Sequence, residues 1–66
     1  MEDALIKLVK NSIRGIKLGS KKPSDVGSDV NKNLNKLKVI NVGMAEDLLV
    51  EYKNVVEDWK RKNVNN

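Results

Sequence analysis

An all-α fold, a small compact bundle of three to four helices, is what this sequence predicts, and three observations predict it. Apolar residues recur at steps of three and four through most of the chain, the pattern of a helix that buries one face. The segment from Asn41 to Lys62 shows this most cleanly, with Ala45, Leu48, Leu49, Tyr52, Val55, Val56 and Trp59 on a single stripe. The third observation is length. Sixty-six residues make one domain, too small for a second core and marginal in stability on its own.

The first helix is expected from Asp3 to about Arg14, where Leu5, Leu8, Val9, Ser12, Ile13 and Ile16 keep helical spacing. Glu2 and Asp3 then sit at the positive end of its dipole. Gly15 is the expected stop. From there to Pro23, two glycines, a serine and the sole proline mark a loop, from which Ile16 and Leu18 fold back onto the core. Pro23 holds its predecessor extended, so a second helix is expected near Ser24, with Ser24 or Asp25 as N-cap and Ser28 as the alternative if Gly27 interrupts the first turn. Val26, Val30, Leu34 and Leu37 share its buried face, and Asn31, Lys32, Asn33, Asn35, Lys36 and Lys38 cover the other side.

Val39 to Gly43 reads as an extended connector with Asn41 capping the last helix; a short strand is the other reading of its β-branched residues, with no partner strand in view. In the last helix Glu46 and Asp47 lie early and Lys60, Arg61 and Lys62 late, the arrangement the helix dipole favours. Residues 1–62 thus form the domain, and Asn63 to Asn66 is expected to be a frayed tail. No repeat or low-complexity segment is present.

Composition narrows the chemistry. Without Cys there is neither a disulfide nor a thiolate nucleophile, and without His there is no imidazole base and none of the commonest transition-metal ligand. Asp25 and Asp29 stand one helical turn apart, but two carboxylates are too few for a cation site, and capping is their expected role. Gly15 to Lys22 lacks the spacing of a phosphate-binding loop. No enzyme, no metal and no cofactor is expected. The absence of disulfides in so short a chain and the lack of a long apolar run or signal peptide fit an intracellular, soluble protein.

The net charge of +4 is unevenly placed. Residues 1–38 carry nine Lys or Arg against four acids, whereas residues 39–66 carry four against five. A positive field of that kind either keeps a small domain soluble or attracts acidic partners and phosphates.

Val26-Gly27-x-x-Val30-Asn31, followed by a lysine-bearing segment and then by Met44-Ala45-x-Asp47-Leu48-Leu49-x-Glu51-Tyr52-Lys53-x-Val55-Val56, resembles the N-terminal LW domain of the transcription elongation factor TFIIS family, and within it the elongin A branch. That family carries Thr-x-Val/Ile-Gly-x-x-Val-Asn, a basic stretch, and a helix reading Ala-x-x-Leu-Leu/Val/Ile-x-x-Trp-Lys. The resemblance covers about residues 24 to 60, with a fainter match over Ala4 to Lys10. Tyr52 stands where the family has Trp, Trp59 comes seven residues later, and the family's first helix has no counterpart.

The resemblance implies a nuclear, non-catalytic interaction domain that docks short disordered acidic and hydrophobic segments of transcription proteins. On this chain the partner would meet Lys32, Lys36, Lys38 and Lys53 beside an apolar groove near Val30 and Tyr52. A monomer is expected, although a homodimer through an incompletely covered stripe is a further mode. Trp59 is expected in the core, with a partner anchor as its other reading. The competing function is a small helix-turn-helix or winged-helix DNA reader, for which Asn31, Lys32, Asn35 and Lys36 supply part of a recognition surface without any Arg on that face; weak, sequence-blind nucleic-acid binding is what this composition would support.

Overall fold

The computed structural model describes residues 1–64 and contains three helices, α1 (Glu2–Leu18), α2 (Pro23–Ile40) and α3 (Val42–Val64), each packed on the other two. Glu2 at the start of α1 bonds Asn41 just before α3, and Ile16 near the end of α1 lines a cleft with Val55 and Trp59 of α3. So α1 and α3 run parallel and α2 runs back between them. The core takes Val9, Ile13 and Ile16 from α1, Val26, Val30, Leu34 and Leu37 from α2, and Ala45, Leu48 and Val55 from α3. Leu49, Tyr52, Val56 and Trp59 pack half-buried around it, as the stripe on the last helix requires.

The first helix runs one turn past the expected stop. Gly15 lies inside α1 and is buried, and Gly19 ends the helix with φ +81°, a left-handed conformation that glycine adopts without a Cβ penalty. The end is a Schellman motif: Ser20 N–H donates to the Gly15 carbonyl at 3.0 Å and Gly19 N–H to the Ile16 carbonyl at 3.2 Å. Ser20 Oγ and Lys21 N–H donate to the same Gly15 carbonyl. Continuing through Gly15 costs about 1 kcal/mol of helix propensity, but it carries Ile16 into the core, where burial contributes about 1.5–3 kcal/mol. Leu18, expected to fold inward as well, is 75 % exposed. Leu8 is also out of place, at 51 % exposed, while Ile6 packs inward. At about 100° per residue, Leu8 lies about 100° round the helix from Val9 and Ile6 only about 60°, on the other flank.

At the second helix Pro23, not Ser24, takes the first position, where its missing N–H has no partner to lose. Lys22 is extended ahead of it, as a residue before proline must be. Asp25 closes the turn from inside: its Oδ2 accepts from Lys22 N–H at 3.2 Å while its own N–H donates to the Lys22 carbonyl at 2.9 Å. Gly27 does not interrupt the helix and Ser28 caps nothing, since both lie within α2.

The extended connector shrinks to Asn41 alone, because Val39 and Ile40 finish α2 and Val42 begins α3. Among the described residues no strand forms. Asn41 caps α3, its Oδ1 accepting from Met44 N–H at 3.1 Å. The helix it starts continues through Asn63 to Val64, past the expected end at Lys62; the remainder of the expected tail, Asn65 and Asn66, lies outside the described residues.

Candidate functional site

The residues expected to meet a partner fall into three groups. Val30 is fully buried at 0 % exposure, so it forms the floor of the core and not the wall of an open groove. Tyr52 is half-buried against the core, with its hydroxyl over Gly27: a Cβ built there would come within 3.4 Å of the hydroxyl oxygen. That is ordinary van der Waals distance, so the space over Gly27 would also take a methyl group.

The lysines separate. Lys32 and Lys36 are one turn apart and, measured from Val30, lie about 200° and 240° round α2, on the side away from the core. Lys38 lies at about 80°, on the flank that meets α3. No single small ligand at the α2–α3 seam reaches all three. Lys53 is exposed and follows Leu49 by one helical turn, which places it on the α2-facing flank of α3.

What the structure does assemble at that seam is a groove of about 180 Å³ lined by Asn31, Leu34, Asn35 and Lys38 from α2 and Ala45, Glu46 and Leu49 from α3. Its floor is apolar, from Leu34, Ala45 and Leu49. Its rim offers two side-chain amides, one ammonium and one carboxylate. Such a surface can hold a hydrophobic side chain and bond the polar backbone beside it, with Lys38 favouring and Glu46 opposing an acidic neighbour.

A second and larger cleft, about 540 Å³, lies at the other end of the bundle. It joins Ile16, Lys17, Gly19, Lys21 and Lys22 of the first turn region to Val55, Asp58, Trp59, Lys62 and Asn63 of α3. Sequence reasoning placed Trp59 in the core and did not assign these lysines to a site. Trp59 does pack half-buried against the core, and it also lines this cleft. The overlooked signal was the density of lysines next to the glycine turn, read together with a basic end to the last helix.

Among the described residues no group of three or more Asp or Glu is placed to hold a metal ion, and no helix is long and apolar enough to cross a membrane. Arg61 pairs with Asp58 at 2.7 Å, exposed on both sides, so the pair adds little to stability. Comparison of the chain with known protein families, with curated proteins and with solved structures finds no match.

Proposed function

We propose that this chain is a non-catalytic interaction domain that docks a short disordered segment carrying hydrophobic and acidic residues, acting among nuclear transcription-elongation proteins. The observation that carries the docking part is the groove at the α2–α3 seam, where an apolar floor is rimmed by Asn31, Asn35 and Lys38 from α2 and Glu46 from α3. The transcription part rests on the residues that resemble the TFIIS N-terminal domains, of which Asn31, Ala45 and Leu49 line that groove.

The anchor side chain supplies most of the affinity, because an exposed ion pair contributes only about 0.2–1 kcal/mol whereas a well-seated apolar group contributes more. Lys38 therefore acts as a selector of acidic neighbours. Reversing its charge with Lys38→Glu should lower affinity for a Glu- and Leu-containing peptide several-fold and lower the thermal melt only slightly, by the loss of a favourable charge at the end of α2 beside Glu46; unchanged affinity would remove Lys38 from the site. For the transcription part, immobilised domain exposed to nuclear extract should retain an elongation protein through a disordered segment. Retention of none would sink that assignment while leaving the groove to be tested separately.

The DNA-reading alternative has less behind it. A helix-turn-helix joins its two helices through a turn of about three or four residues; Asn41 alone separates α2 from α3, the pair in which Asn31, Lys32, Asn35 and Lys36 would form the recognition surface, and only the Gly19–Lys22 turn between α1 and α2 has that length. A wing needs strands, and the described residues contain none.

A further inference from the structure

The cleft at the turn end of the bundle collects charge of one sign around an aromatic ring. Lys17, Lys21, Lys22 and Lys62 line it, Trp59 forms part of its wall, and Ile16 and Val55 lie beneath. The one acid there, Asp58, is held at 2.7 Å by Arg61, so its charge is offset from within α3. Lys21 is positioned by packing: its methylenes lie against Gly15, where a Cβ would come within 2.9 Å of Lys21 Cδ. Glycine at that position therefore admits the stem of Lys21, which borders both this cleft and the neighbouring surface beside Leu8, Ser12 and Asp29. The cleft is open along one side and roomier than one amino-acid side chain needs.

We propose that this cleft binds single-stranded nucleic acid, with phosphodiester groups on the lysines and a base against Trp59. Each unit of such a ligand brings both a fixed negative charge and a flat π-face, which matches lysines interleaved with an indole. An acidic peptide brings charge or apolar bulk at a given residue, not both, and would leave either the ammonium groups or the ring poorly used. Lysine serves here as a point charge that follows the backbone without reading sequence, so binding is general with respect to base order. The site shares no residue with the α2–α3 groove and stands or falls apart from the peptide reading.

The chain contains a single Trp, which makes the test direct. Titration of the whole protein with a short oligothymidylate should quench Trp59 fluorescence at low salt. The logarithm of the affinity should fall against the logarithm of salt concentration with a slope of about −2 to −3, at about −0.7 per phosphate for three to four contacts. The double variant Lys17→Gln/Lys22→Gln should make that slope shallower by about 1.4. Lys32→Gln/Lys36→Gln, which removes the same charge from the far side of α2, should leave it unchanged. Lys17→Gln alone, which leaves the α2 cap untouched, should make the slope shallower by about 0.7 and stands in if the double variant folds poorly by circular dichroism. Absence of quenching at low salt, equal losses in the two double variants, or polyglutamate quenching over the same salt range as the oligonucleotide would each overturn the proposal.

Discussion

Between α1 and α2 the chain takes Gly19 to Lys22 to reverse direction, and between α2 and α3 it takes Asn41 alone. The longer turn works through backbone conformation: one left-handed glycine brings Ser20 and Lys21 round so that their N–H groups fall on the Gly15 carbonyl. The shorter one works through side-chain chemistry. Asn41 sits in an extended conformation and uses every polar group it has: N–H to the Leu37 carbonyl at 2.7 Å, carbonyl from Ala45 N–H at 3.0 Å, Oδ1 from Met44 N–H, and Nδ2 to Glu2 Oε2 at 2.8 Å. It closes one helix, opens the next and ties both to the start of the first. The consequence for function follows from geometry. A one-residue junction fixes α2 against α3, which is where the seam groove lies, whereas the open turn has room to display lysines beside its cleft.

Both junctions serve one core, and the largest effect should come from breaking it. Leu48→Asp puts an unpaired charge at a buried position on the main stripe, at a cost of several kcal/mol against a net stability of roughly 3–5 kcal/mol. Circular dichroism should show loss of helicity; a cooperative melt near wild type would mean that Leu48 is not in the core. Next comes Asn41→Ala, which removes a cap and a tertiary hydrogen bond together and should cost about 1–2 kcal/mol in urea denaturation. Glu2→Gln keeps a side-chain oxygen to accept from Asn41 Nδ2 and loses mainly the charge at the start of α1, so it should cost less, about 0.3–1 kcal/mol. Equal costs would show that the Asn41 cap and tertiary bond together contribute no more than one terminal charge. Gly19→Ala should cost about 1 kcal/mol, the strain of a left-handed residue with a Cβ, even though no atom lies within 4 Å of the added carbon. The smallest effect has the opposite sign. Gly27→Ala places a methyl in ordinary contact with the Tyr52 hydroxyl at 3.4 Å and should stabilise α2 by about 0.5 kcal/mol through helix propensity, raising the denaturation midpoint.

The same contrast between junctions explains what could be read from residues alone. Asn41 announces itself, because an amide before an apolar periodic run has one favoured role, and the cap is where that reading puts it. The glycine turn is ambiguous from the sequence, since Gly15 and Gly19 both qualify as stops and the choice depends on whether Ile16 finds a buried place. Periodicity likewise identifies the faces of α2 and α3 but not which residues of α1 meet them, so Leu8 and Leu18 are misplaced while Val9, Ile13 and Ile16 are not. For the sites the limit is distance along the chain. Lys38 reaches the seam groove because it shares a flank with Asn31 and Asn35, whereas Lys32 and Lys36, close in sequence, point elsewhere. The basic cleft joins residues some forty positions apart, and only the parallel arrangement of α1 and α3 brings Lys17 to Trp59.

The central claim, that the α2–α3 seam takes a hydrophobic and acidic peptide segment, is tested most directly by mapping amide shifts on the isotopically labelled protein during titration with a short synthetic peptide of Asp, Glu and one Leu or Phe. Shifts concentrated on Asn31, Asn35, Lys38, Glu46 and Leu49, saturating with peptide and displaced by Lys38→Glu, are the predicted result. Saturable shifts confined to Lys32 and Lys36 on the outer face of α2, or to Lys7 and Lys10 on α1, or no saturable shifts at all, would contradict it.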